Sequence, residues 1–335
     1  MTIDRAGGPD MAPRPPALGR APAQPWRASG EGGFALVAVL LVLAVLGVIG
    51  AEFAFSMRLE GSAVRAFKEG VAGLHLAEAA VEQAIREIVG DHAYVASCRD
   101  DDPIRFFKTD RTPVPPLPRR DVALGAGHFE YDITDEEARL NVNTSPPERV
   151  ARLLDSLGVA RNDRDTIVDS IQDWRDNNEE HRLNGAESDD HYLKQPLPYR
   201  ARNANLDSVR ELLQIKGITE ALFNGADDRP GLVRDVTVKT PGPVNINTGR
   251  THVLRALGLA DAEISQILQS RCDAPYQAVP GQFGGRGFTV TSRTFRIDAR
   301  GVVEGHVAAR IVAVVQKRQD QRGPVIAALE WSVDR

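Results

Sequence analysis

Residues 33–51 read Gly33-Phe34-Ala35-Leu36-Val37-Ala38-Val39-Leu40-Leu41-Val42-Leu43-Ala44-Val45-Leu46-Gly47-Val48-Ile49-Gly50-Ala51. From Phe34 to Ala51 this stretch contains no charged residue and no proline. A helix rises about 1.5 Å per residue, so a helix of this length crosses most of a hydrocarbon core about 30 Å thick. The stretch therefore predicts a membrane helix, and we assign residues 34–56 to the span.

The helical pattern continues beyond this apolar stretch. Apolar residues recur at intervals of three and four, interrupted only by Glu78, and they are Val64, Phe67, Val71, Leu74, Val81, Ile85 and Ile88. A secretory signal would instead end within about 15 apolar residues at a small-residue cleavage site. No proline occurs between Phe34 and Asp102. The sequence predicts one long helix from about Phe34 to Val89, with Gly90 and Asp91 as its stop.

The segment that precedes the helix, residues 1–33, is rich in Pro, Gly and Ala and carries four arginines. Such a composition cannot bury a core, and the arginines favour the cytoplasmic side of a membrane. We interpret the segment as a cytoplasmic leader, with Met1 or Met11 as its start.

The rest of the chain alternates between strand and helix signals. Alternating apolar and polar residues predict strands at 128–133, 138–143, 295–303, 308–315 and 325–333. Helical spacing predicts helices at 147–157, 163–174, 206–215, 219–224 and 251–269, with Gly158 and Gly217 as stops. The predicted fold is α+β: a small antiparallel sheet packs on the soluble half of the long helix and carries an inserted all-helical domain. The predicted divisions are 57–145 for the soluble helix and first strands, 146–235 for the inserted domain and 236–335 for the rest of the sheet domain.

Two short blocks have the same pattern, Asn141 to Thr144 and Asn245 to Thr248. Asn and Thr commonly cap helices, and a predicted helix follows each block, so we expect the blocks to act as helix caps. The two cysteines, Cys98 and Cys272, either pair in an oxidising compartment or remain free thiols.

An acidic concentration between Asp163 and Asp190 holds ten carboxylates against three arginines. Counted from Asp176 as the first position, Asn178 is third, Glu180 fifth and Glu187 twelfth, which is similar to the spacing of a calcium-binding loop, although His181 replaces its usual glycine. Oxygen donors without cysteine favour calcium over zinc. The alternative is a solvated acidic face. The candidate metal ligands are Asp173, Asp176, Asn178, Glu180, Glu187 and Asp190.

Composition and charge restrict the function. A chain with 42% hydrophobic and 26% charged residues can form an ordinary globular domain beside one anchor, and a net charge of -5 disfavours a nucleic-acid partner.

Residues 212–219 are similar to half of a DNA-binding helix-hairpin-helix, but Thr219 stands where that motif needs a glycine, and residues 141–230 hold 17 acidic against 12 basic residues. A membrane-anchored hydrolase is a third alternative, but no nucleophile motif or phosphate-binding glycine loop supports it.

The apolar helix that begins directly after a Gly-Phe pair resembles type IV pilins and pseudopilins. Several further motifs, in order along the chain, resemble the general secretion pathway protein K family, the large minor pseudopilins of type II secretion. These motifs are Asp135 to Thr144, Ile171 to Asp176, Gly185 to Glu187 with Tyr192, Asn205 to Leu212, Lys216 to Ile218, and Val244 to Thr248.

The resemblance implies a type IV pilin-like fold and a non-enzymatic role. It implies that a prepilin peptidase cuts after Gly33 and methylates Phe34, and that the acidic loop holds calcium. It further implies a single-pass protein of the inner membrane with a periplasmic domain, which assembles at the pseudopilus tip with I-type and J-type minor pseudopilins and with the major pseudopilin. The main alternative is a DNA-binding or minor-pilin component of a type IV pilus or competence system.

Ala38 occupies the fifth position after the predicted cut. Ordinary pilins and pseudopilins have a glutamate there, whose buried charge is compensated when a subunit joins the polymer. An apolar residue at this position favours a subunit that starts or caps the assembly.

Overall fold

The predicted long helix, α1, extends over Gly32–Val89. This computed structural model describes residues 32–226, 229–321 and 323–334, so most of the predicted leader and both candidate start methionines lie outside the described residues. By length and composition α1 is able to cross a membrane. The chain divides into two units at Ala63/Val64, and the described part of the first unit is the N-terminal, solvent-exposed portion of α1.

The other helices lie between the two groups of long strands. The α-helices are α2 (Pro147–Ser156), α3 (Arg161–Arg175), α4 (Glu220–Asn224), α5 (Thr251–Ala256) and α6 (Asp261–Asp273). Short 3-10 helices occur at Glu136–Ala138, Tyr192–Lys194, Val209–Gln214, Leu232–Arg234 and Gly281–Phe283. The segment expected as an α-helix at 206–215 is thus a 3-10 helix.

The strands, in chain order, are β1 (Tyr94–Ala96), β2 (Arg105–Phe107), β3 (Val122–Leu124), β4 (Gly127–Asp135), β5 (Leu140–Asn141), β6 (Gly225–Ala226), β7 (Arg229–Pro230), β8 (Val236–Thr237), β9 (Val244–Asn245), β10 (Phe288–Thr289), β11 (Thr294–Val303), β12 (His306–Asp320) and β13 (Gly323–Asp334). Five of them form the main sheet in the order β13-β12-β11-β4-β3, and every neighbouring pair is antiparallel. The others form two-stranded pairs: β1 with β2 and β6 with β7 are antiparallel, whereas β5 with β8 and β9 with β10 are parallel.

The soluble half of α1 packs on one face of the main sheet. Its buried apolar residues are small or aliphatic, such as Ala77, Ala80 and Ala84, and they share a core with Tyr131 and Phe295. The helix and the sheet approach closely near Gly73, where an added Cβ would lie 2.6 Å from Ala308 Cβ. This arrangement confirms the predicted α+β fold.

The helical part begins after β4 and extends further than expected. One core contains buried residues from Leu140 to Leu257, so α5 packs with α2 and α3, and a second core gathers apolar residues between Ile246 and Phe283. The main sheet resumes only at Thr294. The boundary at Asp235 stays a prediction: α5 packs with α2, the buried residues of α6 lie in the second core, and both helices precede the main sheet strand at Thr294. The expected strand at 138–143 is also corrected, since only Leu140–Asn141 forms a strand and it pairs with β8 outside the main sheet.

Candidate functional site

The acidic loop is held against α3. Asp169 and Asp173 lie one turn apart on this helix, and Asp176 is its C-cap residue. The loop then returns to the 3-10 helix at Tyr192, whose ring packs edge-on against Trp174 with 5.2 Å between ring centroids. Buried aromatic pairs of this kind fix the geometry of a segment beyond simple burial of area.

Asp173 anchors the loop from inside. Its side chain is fully buried, and its Oδ2 accepts hydrogen bonds from the backbone N–H groups of Arg182 and Ala186, both at 3.0 Å. Arg182 Nη1 lies 2.6 Å from Asp173 Oδ1 and 2.6 Å from Asp176 Oδ2. An added Cβ on Gly185 would collide with the Asp173 carboxylate, so this position requires glycine. Asp173 is therefore committed to the loop and to Arg182.

Glu187 is the unusual residue of the loop. It is 1% exposed, and neither oxygen of its carboxylate has a hydrogen-bond partner. Burial, together with the negative charges of Asp173, Glu179 and Asp176, raises the pKa of Glu187 to about 7. Buried carboxylates are normally paired or hydrogen-bonded, because an uncompensated charge in the interior is costly. These oxygens therefore need a proton or a cation.

The remaining predicted ligands have local contacts. Asn178 Oδ1 accepts a hydrogen bond from Glu180 N at 2.8 Å, and Asp190 Oδ1 accepts one from Glu187 N at 2.7 Å. Glu180 is exposed. Glu179, which the loop count did not select, accepts a hydrogen bond from Asn203 Nδ2 at 3.0 Å. The spacing of a standard calcium loop does not predict Glu179, because Glu179 meets Asn203 only when the loop folds back.

The acidic side chains of the loop meet only some of the requirements of a site for a hard cation. Asp173, Asp176, Glu179 and Glu187 interact electrostatically, and Arg182 is the cation that pairs with two of them. The unpartnered oxygens of Glu187 fit a hard cation, since calcium prefers carboxylate oxygens. Among the described residues, however, no group of three or more His, Cys, Asp or Glu side chains is arranged to hold a metal ion.

A second polar cluster joins the main sheet to the helical part. Asp135 is buried, and its carboxylate accepts hydrogen bonds from Ser292 and Thr248 at 2.5 Å and from Asn245 at 3.2 Å. Desolvation raises the pKa of Asp135. Glu137, two residues further along the chain, accepts hydrogen bonds from the Arg293 and Thr294 N–H groups. Burial raises the pKa of Glu137 to about 7, and the negative charge of Asp135 acts in the same direction.

Glu136 is paired differently from its neighbours. Two hydrogen bonds of 3.0 Å join its carboxylate to Arg296, Arg139 lies 3.4 Å away, and Thr237 donates a third hydrogen bond at 2.7 Å. Although burial opposes ionisation, these arginines and hydrogen bonds lower the pKa of Glu136 to about 2. In the sequence this acidic motif is visible only as a family resemblance, because its contacts arise from segments far apart along the chain.

The two Asn blocks are not helix caps, which corrects the sequence expectation. The N-cap residues of α2 and α5 are Pro146 and Arg250, and neither makes a side-chain capping hydrogen bond. Instead, Asn143 exchanges hydrogen bonds with the backbone of Leu206 through its amide N and O. Asn247 does the same with the backbone of Tyr276. Both blocks thus bind distant loops, and nothing in the local sequence specifies those partners.

Cys98 and Cys272 form a disulfide with a Cα–Cα distance of 4.4 Å. The bond joins the loop after β1 to the C-terminal end of α6. The same loop is attached by hydrogen bonds, because Ser97 N donates to Asn247 O at 3.0 Å and Thr251 N donates to Asp100 Oδ1 at 3.0 Å. The disulfide and these hydrogen bonds therefore both connect the loop after β1 to the helical part.

Comparison with known proteins gives a consistent result. Residues 131–226 match the family model described as type II secretion system protein K. The chain is 26% identical to the type II secretion system protein K of Pseudomonas aeruginosa over 89% of this chain and 92% of that protein. It is 28% identical to the protein K of Klebsiella pneumoniae over 48% of this chain and 53% of that protein.

A solved structure shows the same fold. It is the complex of GspK, GspI and GspJ from the type 2 secretion system of enterotoxigenic Escherichia coli, matched with a TM-score of 0.54 and 20% identity over 65% of this chain and 84% of that chain. The family match covers α2, α3 and the acidic loop, and the alignment with the Pseudomonas protein covers most of the chain. This chain is therefore similar over most of its length to type II secretion system protein K, and these matches support the role of a minor pseudopilin in type II secretion.

Proposed function

We propose that this minor pseudopilin starts or caps the pseudopilus, anchored in the inner membrane by residues 34–56 with its second unit in the periplasm. The observation that carries the proposal is the helical domain, which occupies the chain between β4 and β11, two adjacent strands of the main sheet. A subunit enlarged in this way is poorly suited to close stacking of identical copies. Ala38, in place of the assembly-favouring glutamate, supports the same position.

The number of copies per fibre tests this proposal. A fluorescently labelled chain, expressed at native level, should give one copy per assembled pseudopilus. Many copies distributed along a fibre would contradict the tip position. Labelling the major pseudopilin in parallel provides the control for a repeated subunit.

The proposed partners are I-type and J-type minor pseudopilins, since the related GspK was solved in a complex with GspI and GspJ. A candidate surface lies on the α1-side face of the main sheet at β13. Val333 and Trp331 pair across the ladder with Ile311 and Ala313, which are buried under α1, yet they remain 40% and 48% exposed. We assign this uncovered apolar strip to a helix of a partner pseudopilin.

The strip can be tested with a matched pair of variants. Trp331→Glu should weaken co-purification with the I-type and J-type proteins at least tenfold, because a charge would be buried in an apolar contact. Ser332→Glu, on the opposite face of the same strand, should leave co-purification unchanged. Equal behaviour of the two variants would place the partner elsewhere.

The proposed maturation follows from the Gly33-Phe34 pair at the start of the apolar stretch. A prepilin peptidase would cut between these residues and methylate the new N-terminus at Phe34. Gly33→Val should remain uncut, because a branched side chain crowds the peptidase site while the span stays apolar. Mass determination of the mature N-terminus tests this, and processing of the variant at the same bond would show that the cleavage assignment is wrong.

The proposed cofactor is calcium in the acidic loop. Among the predicted ligands, Glu187 has the carboxylate oxygens that lack a partner, whereas Asp173 and Asp190 accept backbone hydrogen bonds that shape the loop. A bound calcium ion would compensate the negative charge of the Glu187 carboxylate, which has no hydrogen-bond partner. The dependence of thermal stability on calcium tests this proposal.

A further inference from the structure

The disulfide has an unequal pair of sulfur atoms. Cys272 is exposed, whereas Cys98 is half-buried. Arg105 Nη2 lies 3.2 Å from Cys98 Sγ and 3.2 Å from the carbonyl oxygen of Cys272. The guanidinium thus contacts one sulfur of the bond directly.

The fold holds Arg105 at this sulfur. Arg105 is in β2 and pairs with Ala96 of β1, two residues before Cys98. Its guanidinium also lies over the Phe107 ring, with 5.6 Å to the ring centroid. These contacts belong to the β1–β2 pair and do not require the disulfide, so the guanidinium stays close to Cys98 when the bond is reduced.

Other charged groups adjoin the two cysteines in sequence, and the acidic ones are in excess. Arg99 and the three residues Asp100 to Asp102 lie in the loop of Cys98, and Arg271 and Asp273 flank Cys272. Asp102 accepts the Arg99 N–H, and Asp100 accepts the Thr251 N–H. Asp101 pairs with Arg234 and Arg250, and the buried Arg271 side chain donates to backbone carbonyl groups. Arg105 is the cation that contacts a sulfur. A nearby arginine stabilises a thiolate and lowers the pKa of the thiol.

We propose that Cys272 exchanges with external disulfides and that Cys98, activated by Arg105, closes the bond. In the first step, the Cys272 thiolate attacks one sulfur of an external disulfide, forms a mixed disulfide and releases one external thiolate. In the second step, the Cys98 thiolate attacks Cys272 Sγ, forms the internal bond and expels the second external thiolate. Two protein thiols are oxidised and one external disulfide is reduced to two thiols. Reduction follows the reverse order, with Cys98 as the leaving group.

Oxidised glutathione is the probe for the exchange order. The full chain in detergent is reduced, freed of reductant and treated with excess oxidised glutathione, and the species are trapped by acid and located by peptide mass. Cys98→Ser should accumulate a stable mixed disulfide on Cys272, and the wild-type intermediate should carry glutathione on Cys272. An intermediate on Cys98 in the wild-type chain would overturn the proposal.

The pH dependence of the closing step tests the role of Arg105. Arg105 lowers the pKa of the Cys98 thiol, which gives more thiolate at pH 7 but makes each thiolate a weaker nucleophile. Because the gain in thiolate is the larger effect, Arg105→Gln should slow closure about threefold at pH 7. At pH 10, where the thiol is ionised in both proteins, Arg105→Gln should close at least as fast as the wild type. Arg105→Lys and the neighbouring Arg99→Gln should resemble the wild type at both values. Equal closure rates of Arg105→Gln and wild type at pH 7, or equal slowing at both pH values, would overturn the activating role.

Discussion

Glu187→Gln tests the acidic loop most directly. The substitution keeps the shape of a side chain that is 1% exposed and removes its charge. In the metal-free protein the carboxylate has no hydrogen-bond donor and faces three other carboxylates. We therefore expect Glu187→Gln to stabilise the metal-free protein at pH 8, whereas most substitutions of buried residues destabilise.

The sign and size of the effect follow from the pKa of Glu187, which burial and neighbouring charges raise from 4.5 to about 7. Between these two values the folded state binds more protons than the unfolded state, so the contribution of Glu187 to stability falls as pH rises. The full shift corresponds to about 3 kcal/mol. For a domain of this size, half of that value would raise the Tm by about 5 °C at pH 8. At pH 4, where Glu187 is protonated in both states, the difference should vanish.

Calcium should reverse the order of the two proteins. At a concentration 100 times its Kd, a ligand that binds only the folded state adds about 2.7 kcal/mol. The wild-type chain should show this rise at pH 8, and Glu187→Gln should lose it.

The assay is differential scanning calorimetry with a calcium chelator or with added calcium, at pH 4 and pH 8. Asp189→Asn is the matched control, because it removes an exposed charge from the same segment. Two results would contradict the role given to Glu187: Glu187→Gln destabilises the metal-free protein at pH 8, or this variant keeps the full calcium response.

Three further predictions concern packing and the polar junction. Asp135→Ala should lower stability by about 3 kcal/mol in chemical unfolding, because it removes the buried acceptor that the side chains of Asn245, Thr248 and Ser292 share; a loss below 1 kcal/mol would contradict this account. Gly73→Val should cost about 2 kcal/mol through collision with Ala308, whereas Gly70→Val, with nothing within 4 Å, should cost less than half as much. Gly185→Ala should displace the Asp173 carboxylate and reduce the calcium-dependent rise in Tm; an unchanged rise would show that calcium binding does not depend on the position of Asp173.

The sequence by itself determined the elements whose signals are local. The uninterrupted apolar stretch and the absence of proline specify α1, and alternation specifies β4, β11, β12 and β13. These patterns are readable because they depend only on residues within a few turns or on alternate positions of one strand. The acidic loop was equally visible as a concentration of charge.

Tertiary structure decided which of these residues lack a partner. Glu187 and Glu180 are both acidic and both belong to the predicted ligand set, but only Glu187 is buried without a hydrogen bond. Asn143 and Asn247 look like helix caps along the chain, yet their partners are Leu206 and Tyr276. Burial and long-range contacts arise only when distant segments meet, so desolvation, and with it the chemistry of the loop, is set by the folded structure and not by local sequence.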